Sequence, residues 1–398
     1  MKVIALHTDF RIYWPARLKA LSEALAERGD SLEVIEIAGK GSPYSFAQKN
    51  ETGDSLKWHI LFPDSKPEEL SGQQIEPILF KLLDQIQPDV ILSGAIAFPS
   101  GALAVRYGQK HGTKVIVFDD SKIEAVKRNP IVNFIKQAVY SGVDAMLYPA
   151  EDWMPTGEFW KFTEKRMFFG VDVVDNDFWS KPRNIENTIG KYFLAVGRQI
   201  PKKNFDKIVE AYGKYVACIG KNNAYKLVLI GEGPEHDNIQ NKIEELSLKD
   251  LVILCPFKSQ EELAGIYQNS QGLIVNSNLE ETWGLVINEA MAAGCPIFAS
   301  NQCGATNVLV KEGFTGYRFD CNDLQKLSEC LIAYHNLSEE EKDKMKEASK
   351  SIISEWGLKR FANGVIDASS LVSSISKRKA SFINKIIISN WKGQYKPI

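Results

Sequence analysis

The sequence predicts an α/β protein made of two doubly wound parallel-sheet units in tandem. Short apolar runs alternate with longer amphipathic stretches through most of the 398 residues, the pattern left by parallel strands covered with helices. The alternation breaks once, over 172–190, in the polar, turn-rich segment "DVVDNDFWSKPRNIENTIG", and then begins again. A chain of this length also exceeds what one hydrophobic core usually serves.

In the first half the strand candidates are "KVIAL" (2–6), "SLEVIEI" (31–37), "DVILSG" (89–94), "KVIVF" (114–118) and "DAMLYP" (144–149). Helical patterns lie between most of them. In "PARLKALSEALAERG" (15–29), Leu18, Leu21 and Leu25 share one face and Gly29 is the stop. After the break come "YFLAVG" (192–197), "YKLVLIG" (225–231), "LVIL" (251–254), "GLIVNS" (272–277) and "CPIFAS" (295–300). Two such units leave a cleft between the carboxyl ends of their strands, where sheets of this kind bind ligands. "LSEEEKDKMKEASKSIISEW" reads as a solvated helix from its acid-then-base order.

Net charge is −2, with 44% hydrophobic and 25% charged residues, a balance that gives no general attraction for nucleic acid. The six cysteines, Cys218, Cys255, Cys295, Cys303, Cys321 and Cys330, form no C-x-x-C pair and read as buried thiols of a reducing compartment. "MKVIALHTDF" lacks the core of a signal peptide, and no uncharged stretch approaches the roughly 20 residues of a membrane span. The expectation is a cytoplasmic protein. His59, His111, His236 and His335 lack metal-ligand spacing. Asp175-Asn176-Asp177 spells D-x-D, a metal-diphosphate signature on other folds, but lies in the linker and reads as a turn.

Three turns of the second unit carry chemistry. In "VGRQIPKKNFDKIVEAY", Gly197 ends a strand and Arg198 and Lys203 sit beside a helix start, where cations, unpaired amides and the helix dipole together suit a diphosphate. In "LVLIGEGPEHD", Gly231 and Gly233 allow positive φ and close backbone approach to a ligand, or merely a tight turn. In "NSNLEETWGLVINEAMAAG", Glu281 belongs to the entry of a helix starting near Thr282 to Gly284, and Glu289 to its second turn. An acid among Leu285, Val286, Ile287, Ala290 and Met291 is costly without a partner. Its plainer readings are a dipole-favoured acid for Glu281 and a structural arginine for Glu289.

Together "G-R-x4-K", "IGEGP", "E-T-W-G-L-V-I-N-E-A-M-A-A-G-C-P-I" and "C-G-A-T-N-V-L-V-K-E-G-F-T-G-Y" resemble the donor domain of the retaining GT-B glycosyltransferases of family 4 (glycosyl transferases group 1). The resemblance covers roughly 170–370, from "FFGVDVVDNDFW" to Trp356 and Phe361. It implies two Rossmann-like domains facing a central cleft: an acceptor domain over 1–175, a donor domain over 185–355, and 356–398 crossing back to the first. By resemblance Glu289 reads the ribose of a nucleotide sugar and Glu281 faces the sugar. The amides of Trp283, Gly284, Leu285 and Val286 reach sugar and diphosphate, and Arg198 and Lys203 hold the diphosphate.

The first half departs from the family pattern. Where a histidine commonly faces the sugar, this chain has "VIVFDDSKIEAVKRNP". Asp120 is then the candidate at the sugar, or else a strand-end acid capping the next helix. His7 ends a strand on the cleft side and is a further catalytic candidate; Arg17 lies in "WPARL", which the family shares loosely.

The implied function is retaining transfer of a hexose-type sugar from a nucleotide diphosphate donor, UDP ahead of GDP, to a glycan or lipid-linked glycan, as in polysaccharide biosynthesis. No metal or other cofactor is expected. The rivals are a nucleotide-sugar epimerase on the same architecture and a non-catalytic nucleotide-sugar-binding module. From Leu371 onward Lys377, Arg378, Lys379, Lys385, Lys392 and Lys396 meet no acid and are interleaved with apolar residues. That tail is either a crossing helix with a solvated basic face or a peripheral contact with the inner face of the membrane.

Overall fold

The computed structural model describes residues 1–40, 56–125, 128–184 and 186–395. Lys396 of the basic tail and residue 185, the expected start of the donor domain, lie outside the described residues. The chain divides into two compact units, Met1–Val173 with Leu358–Ile398, and Val174–Gly357.

The first unit holds a seven-stranded parallel sheet. Its strands are β1 (Lys2–His7), β2 (Ser31–Ala38), β3 (Lys57–Phe62), β4 (Val90–Ser93), β5 (Lys114–Phe118), β6 (Ala145–Tyr148) and β7 (Met167–Phe169), in the order 3-2-1-4-5-6-7. Registers such as Val3↔Val90 and Leu6↔Ser93 place β1 beside β4, where the winding reverses. β3, "KWHILF", and β7, only three residues long, escape the sequence reading.

Helix Trp14–Ala26 buries Leu18, Leu21 and Leu25 as their spacing requires, and Gly29 follows at φ +74°. The core is closed by helix Leu358–Ser374, which adds Phe361, Val365, Ala368 and Val372. The chain behind it is tied down too. Lys377 pairs with buried Asp144, and Arg378 N–H donates to Asp144 Oδ1 at 2.9 Å. Two bases of the tail are therefore structural. Helix Phe382–Asn390 packs on helices Pro130–Tyr140 and Pro99–His111, and Trp391 Nε1 donates to the Ile96 carbonyl at 2.6 Å.

The second unit repeats the winding. Its strands are β8 (Tyr192–Val196), β9 (Lys226–Ile230), β10 (Val252–Cys255), β11 (Gly272–Val275), β12 (Ile297–Ser300) and β13 (Gly316–Phe319), in the order 10-9-8-11-12-13. The reversal falls between β8 and β11, at the loops that carry the motifs. The expected linker is not bare turn: Asp175 caps helix Asn176–Ser180, accepting from the Asp177 and Phe178 amides at 3.1 and 3.2 Å. Helix Glu339–Ser354 carries the expected row of ion pairs, although Lys342 is buried. All six cysteines are free, but Cys218 is exposed and Cys255 half-buried, against the expectation of uniformly buried thiols. Among the described residues no helix is long and apolar enough to cross a membrane.

Candidate functional site

In the second unit the loops after β8 and β9 lie directly on each other. Gly197, Gly231 and Gly233 have φ of +151°, +141° and +155°, values that favour glycine. A Cβ on Gly231 would stand 1.9 Å from the Gly197 carbonyl oxygen, and one on Gly233 2.4 Å from that of Gln199. The close approach expected for a ligand is thus taken by the neighbouring loop's backbone. Gln199, which the sequence reading passed over, locks the two together. It is fully buried, donates from Nε2 to the Gly231 carbonyl at 2.8 Å, and meets His236 Nδ1 at 2.9 Å through Oε1. Since the amide oxygen only accepts, His236 carries its proton on Nδ1.

The same first loop supplies the cations. A short turn, Pro201–Lys203, ends at Asn204 in the left-handed region, where helix Phe205–Ile219 begins. Lys203 Nζ lies 2.7 Å from Glu281 Oε2, with Lys202 Nζ 3.7 Å from the same oxygen. Burial pushes the Glu281 carboxyl up, but the two ammonium groups outweigh it and hold the pKa below the ordinary carboxylate value. Lys203 is thus Glu281's partner, and Lys202 shares the role without having been singled out in the sequence. Arg198 is half-buried and makes no ion pair among the described residues.

Glu281 is held from behind by a further loop. The Gly304 amide donates to the Glu281 carbonyl at 3.2 Å and the Ala305 amide to that of Trp283 at 2.9 Å. A Cβ on Gly304 would meet the Thr282 carbonyl oxygen at 1.8 Å. The helix that follows is Val286–Ala292, so it starts later than the expected Thr282 to Gly284, and Glu289 falls in its first turn. Gly284, at φ +97°, cannot be helical. Glu289 is buried, and Tyr267 Oη donates to its Oε2 at 2.8 Å. The Trp283 indole is a core element, bonded to Asn288 Oδ1 at 2.8 Å and stacked on Trp356. Only its backbone, with those of Gly284, Leu285 and Val286, is left for a donor. Asn276 and Ser277, just after β11, are buried, with side-chain polar atoms that find no hydrogen-bond partner among the described residues.

A groove of about 530 Å³ beside these loops is lined by Gly231, Glu232, His236, Gln240, Cys255 and Pro256. A larger depression, about 860 Å³, lies along helix Glu339–Ser354 and includes none of the candidate residues. Among the described residues no three His, Cys, Asp or Glu side chains are placed to hold a metal ion.

The first unit's candidates sit at the carboxyl ends of its own interior strands β1 and β5. His7 is packed among Phe10, Trp14 and Phe118, with ring centroids 5.5, 5.7 and 5.1 Å away, and this burial pushes its pKa down to about 4. It is neutral at pH 7. The next helix is capped by Asn129, whose side chain accepts from the Ile131 amide at 2.8 Å, while Asp119 accepts from the Ser121 amide at 2.9 Å and from Tyr140 Oη at 3.1 Å. Asp120 is half-buried, and its carbonyl accepts from Trp153 Nε1. Asp172, not singled out from the sequence, is pushed up to about 7 by burial and by the charges of Asp120 and Asp119, against the pull of Arg17. Arg17 reaches Asp172 Oδ1 at 3.8 Å and grips the Val173 carbonyl through Nε and Nη2 at 2.9 and 2.7 Å.

Comparison with known proteins agrees with the winding and the loops. Residues 177–352 match the family model for glycosyl transferases group 1. N-acetyl-alpha-D-glucosaminyl L-malate synthase of Bacillus anthracis is 23% identical over 62% of this chain, and the match spans 65% of that relative. Alpha-monoglucosyldiacylglycerol synthase of Streptococcus pneumoniae is 25% identical over 37% of this chain and 33% of its own. Among solved structures, a glycosyltransferase from Rickettsia africae has a TM-score of 0.73 at 15% identity, covering 94% of this chain and 99% of that one. Anabaena HepE in complex with UDP has a TM-score of 0.69 at 12% identity, covering 94% and 100%. These neighbours carry two Rossmann-like α/β domains, the GT-B fold. The match to the glycosyl transferases group 1 thus falls on the second unit, which carries these loops, and the chain as a whole has the GT-B fold of its structural neighbours.

Proposed function

We propose that the protein is a retaining glycosyltransferase that moves a hexose-type sugar from a nucleotide diphosphate donor, UDP ahead of GDP, to a glycan or lipid-linked glycan, without a metal ion. The observation that carries the reading is the convergence of Lys202 and Lys203 on Glu281, with Arg198 on the same loop as the lysines, at the reversal of the second sheet. UDP is favoured because the fold neighbour HepE binds it.

In this reading Arg198 and Lys203 hold the diphosphate, whose negative charge grows as the glycosyl bond breaks. Glu281 faces the anomeric carbon, where positive charge appears. Its bond to Lys203 sets both groups before the donor arrives, and a diphosphate competes for the same ammonium. Glu289, oriented by Tyr267, reads the ribose. Asp120 and His7 are the acceptor-side candidates. With a pKa of about 4, His7 enters as a neutral hydrogen-bonding group. Incubation with a panel of nucleotide sugars and glycan acceptors tests the proposal. Transfer with the anomeric configuration kept is expected; isomerisation alone, or binding with neither hydrolysis nor transfer, overturns it.

A further inference from the structure

Isolated hydrophobic side chains on a surface are ordinary, whereas a cluster is not. Of the ten large hydrophobics exposed among the described residues, six lie on two helices of the first unit that pack against each other. Ile131, Val132 and Phe134 are on helix Pro130–Tyr140, and Phe382, Ile383 and Ile386 on helix Phe382–Asn390. Phe382 is 79% exposed and Ile131 67%.

This exposure is not the fraying of a loose terminus. Helix Phe382–Asn390 is anchored before it by Asp144, behind it by the Trp391 bond to Ile96, and along its inner face by buried Ile388 and by Asn384 Nδ2, which donates to Ser141 Oγ at 3.1 Å. Its outer face is therefore held outward, and that face is apolar. Within the two segments themselves the charge has one sign. Residues 128–143 and 371–395 contain no acid, while Arg128, Lys136, Lys379 and Lys385 are all basic. Lys377 and Arg378 are engaged by Asp144, and Lys392 by Glu76 at 3.3 Å, which leaves Lys379 and Lys385 exposed on this face.

We propose that these two helices dock the protein on an anionic lipid surface, with the apolar side chains entering the headgroup boundary and the lysines meeting the lipid charge. Apolar residues in segments whose only charges are basic suit such an interface. A second copy of the chain fits worse, because a symmetric contact would bring two basic faces together. The proposal goes beyond the donor site and does not depend on it.

Cosedimentation of the full chain with vesicles containing phosphatidylserine, and with phosphatidylcholine alone, tests it. Binding is expected to the first only, and to weaken as salt rises. Replacing Lys379 and Lys385 together by alanine lowers partitioning about 30-fold, since each base at an anionic surface contributes roughly fivefold. Phe382→Ser with Ile386→Ser lowers it about tenfold or more, while melting and calorimetric titration with UDP stay as in the parent, because these side chains are exposed and lie outside the second unit. Equal binding to both vesicle types, no binding at low salt, or binding indifferent to both double variants overturns the proposal. So does self-association abolished by Phe382→Ser and Ile386→Ser in a chain that ignores vesicles.

Discussion

At the reversal of the first sheet, between β1 and β4, the strand end is closed by rings: His7 stands among Phe10, Trp14 and Phe118, and its Nδ1 faces Gly94, whose Cβ would approach it to 2.5 Å. At the matching reversal of the second sheet, between β8 and β11, the strand ends carry Arg198, two lysines and a carboxylate on loops pinned by glycines. One winding thus supports two opposite electrostatic settings. In the first, titratable groups are driven toward neutrality, with His7 near 4 and Asp172 near 7. In the second, Glu281 is kept charged by its neighbours despite burial. The difference shows that strand order chooses where a site is built, and loop residues choose what it does.

The harshest way to break the second setting is Gly231→Ala. Its Cβ would meet backbone at 1.9 Å at a φ of +141°, so no side chain can yield. A loss of roughly 3–5 kcal/mol is expected in the second unit's urea transition. Gly190→Ala, with positive φ but open space around it, costs only about 1 kcal/mol. Equal losses would mean that the interlocked loops are not rigid.

The first setting is tested by pH. Asp172 titrates near 7 when folded and near 3.8 ordinarily, so it favours the native state at low pH and withdraws that support as pH rises from about 4 to 7. His7 has the opposite sign: its folded value near 4 lies below 6.5, so its support is complete above 6.5 and is lost as pH falls toward 4. At about 1.4 kcal/mol per pKa unit, Asp172 contributes roughly 4.5 kcal/mol and His7 roughly 3.5 kcal/mol with opposite sign, and they largely offset. The parent's first unit should therefore be nearly flat in stability from pH 4 to 7. Asp172→Asn should make stability rise across that window, and His7→Gln should make it fall. Parallel profiles for both variants and the parent would remove the contrast between the two settings.

Smaller effects separate the two glutamates. Glu281→Gln should lower kcat about 10–100-fold, the equivalent of roughly 1.5–3 kcal/mol, yet bind UDP at least as well as the parent, since Lys203 is released. Glu289→Ala should instead raise KM and weaken UDP by a similar factor with kcat largely kept, because a ribose contact is equal in ground and transition states. Calorimetry beside steady-state rates reads both. If the two variants change only the melting temperature, the acids are structural. The smallest expected effect is that of a chelator: turnover in EDTA should equal turnover without it, and a loss restored by Mn²⁺ would return Asp175 and Asp177 to consideration as ligands.

Much of this was legible because it is local. Apolar runs announced β1, β2 and β8, and the i, i+3, i+7 leucines of the first long helix named its buried face. The G-R-x4-K and E-x7-E spacings survive in one dimension because each set lies within one loop and helix. What escaped depends on residues that meet only in space. Gln199 joins His236 across 37 positions, and Tyr267 answers the buried charge of Glu289 from 22 positions away. Nothing in either neighbourhood signals the other. The helix start was misplaced because Gly284's backbone angle is set by the loop behind it, where Cys303 Sγ would lie 2.7 Å from an added Cβ.

The closing role of helix Leu358–Ser374 bears on how the chain is made. A ribosome delivers all six strands of the second unit before it delivers Phe361, Val365, Ala368 and Val372, which the first unit's core requires. Domains usually mature in the order of synthesis. Here the half that emerges first must wait, with β1 to β7 already outside the exit tunnel and their apolar faces incompletely covered, until the last forty or so residues arrive. The nascent chain is thus most exposed to chaperones in its oldest part, and its second half is the one positioned to finish first.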